Sequence, residues 1–389
     1  MKAVRYIWAF ILNARFAITQ SCGDITISSE HDVDAIKTCP IITGDIVITT
    51  EAAGRIELDG VESVGGSINV TGSQISSFSA PSLKSVTKDI LFYDLSDVQD
   101  ISLPRLNFIG GQFDFVALSS LSSLNISGFN DTSHLKQFTL QDAPKLRQVS
   151  IYTPTIEKLI IIGRGSLEVG LKVDASIPKS FGVSTIGGCS SLSGFFNSTT
   201  IDNFTLIGNN FTELDLSGLR INDAMRIVDN PALEKVLLPN PSSLQDSQLP
   251  PTGPDAPQWK HAEISGNPRL DSKNILMQST SNFWAWGAQN VSTLIFQGVF
   301  HSDFFYWQQT PKGKYPDTSL VYTTDQFSVN STDMLFDCEF LNAMRYQGLF
   351  KKDYSCQGRS LRSSSPVRRI SYYTLLVGLG LFLWAFFLQ

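Results

Sequence analysis

Histidine is scarce in this 389-residue chain, with His31, His134, His261 and His301 the only four, and none stands in an H-E-x-x-H or similar spacing. A zinc hydrolase therefore has no ligand set to build on. No C-x-x-C occurs, which removes zinc ribbons and thioredoxin-like redox sites. There is no G-x-S-x-G elbow and no G-x-x-x-x-G-K-[ST] phosphate loop. Gly163-Arg164-Gly165 follows an apolar stretch but precedes nothing helical, so it reads as a tight corner. Basic excess is also missing. The net charge is −6 and the pI near 5.3, so no positive surface exists to neutralise phosphates, and nucleic acid is excluded as a partner. Nothing points to a cofactor.

What is present is a chain 42% hydrophobic and 17% charged, enough to bury a core. It is rich in Ser, Thr, Asn and Gly, the residues of turn-dense β structure. The five cysteines fall as Cys22 and Cys39, Cys338 and Cys356, and Cys189 alone. The two close pairs are read as disulfides at the ends of one domain, each worth about 3 kcal/mol by loop closure. Cys189 is either a buried free thiol or a link to another chain.

Both ends of the sequence carry export signals. Residues 1–19 resemble a signal peptide, with Lys2 and Arg5 before the apolar Tyr6–Leu12, although Asn13 and Arg15 interrupt it. At the other end, a Ser-rich spacer (359–371) with Ser363-Ser364-Ser365 precedes an apolar tail (372–389). Small residues, a polar spacer and a greasy tail form the pattern of glycosylphosphatidylinositol (GPI) attachment, with Ser363 the candidate acceptor and the tail removed. A retained membrane span is the alternative, but it would put Arg368 and Arg369 outside, against the positive-inside tendency. Eight N-x-S/T triplets begin at Asn69, Asn125, Asn130, Asn197, Asn203, Asn210, Asn290 and Asn330. Together with the terminal signals they predict an N-glycosylated, exported protein.

Between these ends the chain repeats. Short alternating strands recur at Ile68/Val70, Ile90/Phe92, Phe113/Phe115, Phe138/Leu140, Leu159/Ile161, Phe204/Leu206, Met225/Ile227, Ala262/Ile264 and Leu294/Phe296. Phe181/Val183 form a weak member between the fifth and sixth. The spacing is 22 residues from Ile68 to Ile90, 23 to Phe113, 25 to Phe138 and 21 to Leu159. A second motif follows several strands, as in Pro81-Ser82-Leu83-x-x-Val86, Pro104-Arg105-Leu106-x-x-Ile109, Pro144-Lys145-Leu146-x-x-Val149 and Pro231-Ala232-Leu233-x-x-Val236. A coil of this length cannot bury its own apolar face, whereas stacked coils can. The expected fold is all-β: a right-handed parallel β-helix or leucine-rich-repeat-like solenoid over residues 20–358, with disulfide-tied ends. Asp94, Asp142, Asn209 and Asn230 each come just past a strand and read as corner residues tolerating left-handed backbone. Residues 239–259, with six prolines, read as a loop insertion. Residues 300–332 fit no coil; their aromatics suggest a cap or a binding loop.

These repeats, with Cys22-Gly23-Asp24-Ile25-Thr26-Ile27 opening the domain and Asp337-Cys338 through Tyr354-Ser355-Cys356 closing it, resemble the receptor L-domain. The whole arrangement is similar to the fungal GPI-anchored cell-wall organisation family, which includes sporulation-specific surface proteins. The resemblance implies no catalytic centre and a role in wall organisation and integrity at the outer face of the plasma membrane or in the wall. The expected partners are wall polysaccharides or wall-building proteins, with the membrane reached through the GPI lipid. Trp284, Trp286 and Trp307 are candidate sugar-stacking rings, and the rival reading makes such aromatics an end cap. Two other functions compete. A polysaccharide-active β-helix enzyme would need paired carboxylates over a groove, for which Asp94, Asp97, Asp100 and Asp114 are the candidates. A ligand-binding receptor ectodomain would need a signalling partner.

Overall fold

A computed structural model describes residues 21–174, 176–195, 199–238, 259–277, 291–305, 324–346, 348 and 350–358. The chain winds as a solenoid, and every strand pairing among the described residues is parallel. The longest sheet runs through fourteen successive strands from Ile25–Ile27 to Phe350–Gln357. Smaller parallel sheets line the other sides: five two-residue strands from Ser21–Cys22 to Phe108–Ile109, four from Ala53–Glu57 to Ser123–Asn125, and three at Glu213–Asp215, Lys235–Leu238 and Ile275–Met277.

Alternation along each strand sends one side chain inward and the next outward. In register, Ile46, Ile68, Ile90, Phe113, Phe138 and Leu159 form one internal ladder, and each is buried. The next rung is Ser184, then Phe204, Met225, Ala262, Leu294 and Phe327. The weak coil expected at Phe181/Val183 is therefore set on Ser184/Ile186 instead. Phe181 does point inward, but it pairs with Ile156 and Ile201 one step earlier, and Val183 points out. The reason is a bend. Inward residues step by three at Leu135/Phe138, Ile156/Leu159, Phe181/Ser184 and Ile201/Phe204, because two consecutive residues face outward where the strand turns.

The corners also differ in detail from expectation. Asp94 and Asp142 do take left-handed backbone (φ 55° each). Asn209 and Asn230 do not: the left-handed residues are Gly208 (φ 65°) and Asp229 (φ 53°) immediately before them. Freed from that task, the two asparagines turn inward and are fully buried. Asn209 Oδ1 accepts the Cys189 N–H at 3.0 Å, Asn230 Oδ1 the Asn209 N–H at 2.9 Å, and Asn267 Oδ1 the Asn230 N–H at 3.0 Å. Their amide groups donate to Ile186, Leu206, Val228, Ile227 and Ser265 carbonyls. This asparagine ladder satisfies backbone groups that the corner removes from the sheet. Cys189 is its top rung, with a buried free thiol that burial pushes up to about 12.

Each end is closed. At the first, the helix Glu30–Ile36 lays Val33 and Ile36 on the core and the Cys22–Cys39 disulfide ties it down. At the last, Cys338–Cys356 joins the helix Glu339–Tyr346 to the final strand. Part of the segment expected to fit no coil does form one: Thr324–Ser331 pairs in parallel on both sides, with Phe327 and Val329 buried.

His301 ties the last coils together. Its Nε2 lies 3.0 Å from Asp271 and its Nδ1 2.8 Å from Asp333, with the side chain 22% exposed. The Asp271 hydrogen bond, followed by the charges of Asp271 and Asp333, raises its pKa above 6.5 against burial and Lys273. A histidine with a raised folded pKa contributes stability that is complete below the unfolded value and lost as pH rises through the folded one. We therefore expect His301→Gln to lower the thermal midpoint more at pH 5.5 than at pH 8.5. An equal loss at both would show that the two ion pairs do not depend on protonation.

Candidate binding face

The outward side of the long sheet runs along all fourteen of its described strands. One row of outward residues runs Thr26, Val47, Asn69, Leu91, Asp114, Thr139, Ile160, Thr185, Thr205, Arg226 and Glu263 in unbroken register. Aliphatic, hydroxyl and amide side chains dominate its middle. Asp114, offered above as a catalytic acid, is buried in this row and held by Tyr93 Oη at 2.8 Å and Gln137 Nε2 at 3.0 Å. Burial, then the Asp114 hydrogen bond, drives the Tyr93 phenol well above its usual range. Asp94 and Asp97 are exposed at a corner. Among the described residues, no three His, Cys, Asp or Glu side chains converge as a metal site would require.

A groove of about 390 Å³ opens where the central strands bend. That volume is at the low end of the roughly 300–1,000 Å³ of small-ligand sites. His134, Thr155, Glu157, Ser180, Gly182, Val183, Asp202 and Asn203 line it. Its cause is local. At the bend, successive coils carry Lys136, Glu157, Gly182 and Asp202 in line, and Gly182 supplies no side chain. Nor can it: a Cβ there would lie 2.2 Å from the Glu157 carbonyl oxygen. The trough is walled on one side by His134, whose ring nitrogens stand 3.0 Å from Thr155 Oγ1 and 3.1 Å from Glu157 Oε1. On the other side Asp202 accepts the Asn222 amide at 2.8 Å. Val183, 45% exposed, is the apolar outward side chain among the lining residues. The lining thus sets hydroxyl, amide and charged groups beside an exposed apolar surface, as a sugar ring with hydroxyl edges and C–H faces requires.

The sequence reading missed this groove because it weighed His134 only as a metal ligand, and set it aside for want of a ligand spacing, and placed Val183 in an inward-facing pair with Phe181. A gap at one coil in a line of charged residues was the available signal. Of the acceptor asparagines, Asn125, Asn130, Asn210 and Asn330 are exposed, and Asn69 and Asn203 half-buried. Asn197, Asn290, Ser363, Trp284, Trp286 and Trp307 lie outside the described residues, as do the segment expected to be a signal peptide, the Ser-rich spacer and the apolar tail.

Among known proteins, the chain is 31% identical over 137 residues to protein ecm33 of Aspergillus fumigatus, covering 34% of each. It is 34% identical over 87 residues to a cell surface GPI-anchored protein of Arthroderma benhamiae, covering 22% of each. It is 25% identical over 239 residues to cell wall protein ecm33 of Schizosaccharomyces pombe, covering 52% of this chain and 56% of that one. The matched stretch thus spans from about a fifth to just over half the length of these relatives. No protein-family model matches the chain, and no solved structure does.

Proposed function

Because this chain is a relative of the fungal GPI-anchored cell-surface and cell-wall proteins, we propose that it is a lipid-tethered surface glycoprotein that organises the wall by binding. The observation that carries this reading is the long parallel sheet, whose outward row from Thr26 to Glu263 stays in register across coil after coil despite local bulges elsewhere in its strands. Fourteen parallel strands at about 4.8 Å each make a rod of roughly 60 Å. A rod closed at both ends by disulfides presents a fixed face along which an extended polymer can lie. Preorganisation of that kind lowers the ordering cost of each contact. Binding rather than catalysis is favoured by the carboxylates themselves: Asp114 is engaged by Tyr93 and Gln137, and Asp202 by Asn222.

One experiment tests the anchor and the activity in sequence. Phosphatidylinositol-specific phospholipase should release the chain from membranes alongside a known GPI-anchored control. The released protein, incubated with insoluble β-glucan, chitin and mannan, should be retained on one of them without freeing sugar. A chain that stays in the membrane refutes the lipid tether. Freed sugar refutes the non-enzymatic role and makes the groove acids the suspects. Retention on none of the three polymers refutes polysaccharide binding and leaves wall-building proteins as the partners.

A further inference from the structure

The groove has an acceptor asparagine in its own wall. Asn203 opens the triplet Asn203-Phe204-Thr205 and lines the trough. In the triplets at Asn69, Asn125 and Asn130, the third residue's hydroxyl donates to the asparagine Oδ1 at 2.9, 2.9 and 2.8 Å. The Asn203 carboxamide makes no such bond, and among the described residues it has no hydrogen-bond partner. Across the sheet its neighbours are Val183 on one side and Ala224 on the other. One is an exposed apolar side chain and the other is too small to crowd it. Thr205, the hydroxyl that the triplet needs, lies on the same outward face.

We propose that Asn203 carries an N-linked glycan that folds back into this groove, its first N-acetylglucosamine seated on Val183 over the gap left by Gly182. Attachment is ordinary transfer from a lipid-diphosphate-linked oligosaccharide. The Asn203 Nδ2 forms the bond to C1 of the first sugar, the lipid diphosphate leaves with the electron pair of the broken C1–O bond, and Nδ2 gives up one proton. Once the protein folds, covalent attachment holds the sugar at a high effective concentration beside the trough. Its C–H face meets Val183, and Glu157, Asp202, Ser180 and His134 supply hydrogen-bonding groups around its edge. The glycan thereby occupies this recess, so the wall polymer engages the rows on either side and not the groove. This rests on export of the chain, as read above.

The test uses the full chain expressed in a yeast host and purified from its cell surface. Site-resolved mass spectrometry follows removal of each glycan by peptide N-glycosidase, from native and from denatured protein. The glycan at Asn203 should be present and released at least about tenfold more slowly from the native state, because cleavage there waits on local opening. The glycans at the exposed Asn125 and Asn130 should show little such protection. Val183→Lys, at a position already 45% exposed, should abolish the protection while lowering the melting midpoint by no more than a few degrees, the share that the docked sugar and the facing Lys158 account for. An empty Asn203 in a chain glycosylated at Asn125 and Asn130 overturns the proposal while leaving export intact. Equal release from both states, or protection that survives Val183→Lys, overturns the seating. A chain with no glycans at all overturns export and this inference together.

Discussion

Asn230→Leu is expected to destabilise the protein by about 3–5 kcal/mol, because it orphans several buried groups at once. In the folded chain Asn230 Oδ1 accepts from both the backbone N–H and the side-chain amide of Asn209, at 2.9 and 3.0 Å. Its Nδ2 donates to the Val228 and Leu206 carbonyls and to Asn267 Oδ1. Leucine fills a similar volume, so packing is nearly conserved and the loss reports the ladder. No water can substitute freely, since Asn209, Asn230 and Asn267 are all at or near zero exposure. Asp229→Gly, one residue earlier, is the control. Glycine adopts the φ of 53° there without penalty, so this change should stay within about 1 kcal/mol of wild type. Urea unfolding of the three proteins decides. If Asn230→Leu falls as close to wild type as Asp229→Gly, the ladder adds nothing to apolar stacking.

The ladder also shows where a sequence period stops being informative. Spacings of 20–25 residues located most rungs of the long sheet, since an inward Ile, Leu or Phe at every coil is a packing demand that cannot be met otherwise. They failed at Ser184, where the inward residue is small and polar and the neighbouring Phe181 offered a stronger apolar signal in the wrong phase. A period of two cannot register a bend at which two residues face outward together. They failed again at Thr324–Ser331, where the surrounding aromatics obscured the alternation of Phe327 and Val329. Asn209 and Asn230 were recognised as corner residues, but their inward turn depends on Gly208 and Asp229 taking the left-handed backbone, and composition does not say which of two adjacent residues does so.

The groove was less legible than the fold for a related reason. A recess is defined by what is missing, here a side chain at Gly182, and by what surrounds it across four successive coils. Glu157, Gly182 and Asp202 are each unremarkable alone and become a site only when the register places them in line. The acceptor triplet at Asn203, by contrast, was plain in the sequence, but nothing there indicated that it opens onto a recess.

The coils before the asparagine ladder fill their cores differently from the coils that carry it, and this sets the other large effect. Where the coils from Cys189 to Asn267 carry buried asparagines, the earlier ones stack rings, as the last coils do again around Phe296, Phe305 and Phe327. In the earlier coils Phe78 meets Phe92 at 5.1 Å, Phe92 meets Phe115 at 5.4 Å, and Phe113 meets Phe115 at 4.7 Å and Phe138 at 5.7 Å. Phe113 packs against Phe115 and Phe129 of its own coil and Phe138 of the next, pairs with Ile90 of the coil before, and is fully buried. Phe113→Ala should therefore cost about 3–5 kcal/mol, the transfer loss and the cavity together. Phe108→Ala, five residues away but 51% exposed, should change stability by no more than about 0.5 kcal/mol. The consequence for cooperativity is specific to a stack of coils. Each contacts only its neighbours, so a cavity at one interface weakens the coupling between the blocks on either side. Hydrogen exchange on Phe113→Ala should show the coils before residue 113 losing protection while the asparagine-laddered coils keep theirs. Uniform loss along the whole rod would mean instead that the solenoid unfolds as a single unit, and that the two core chemistries, rings and asparagines, are energetically one.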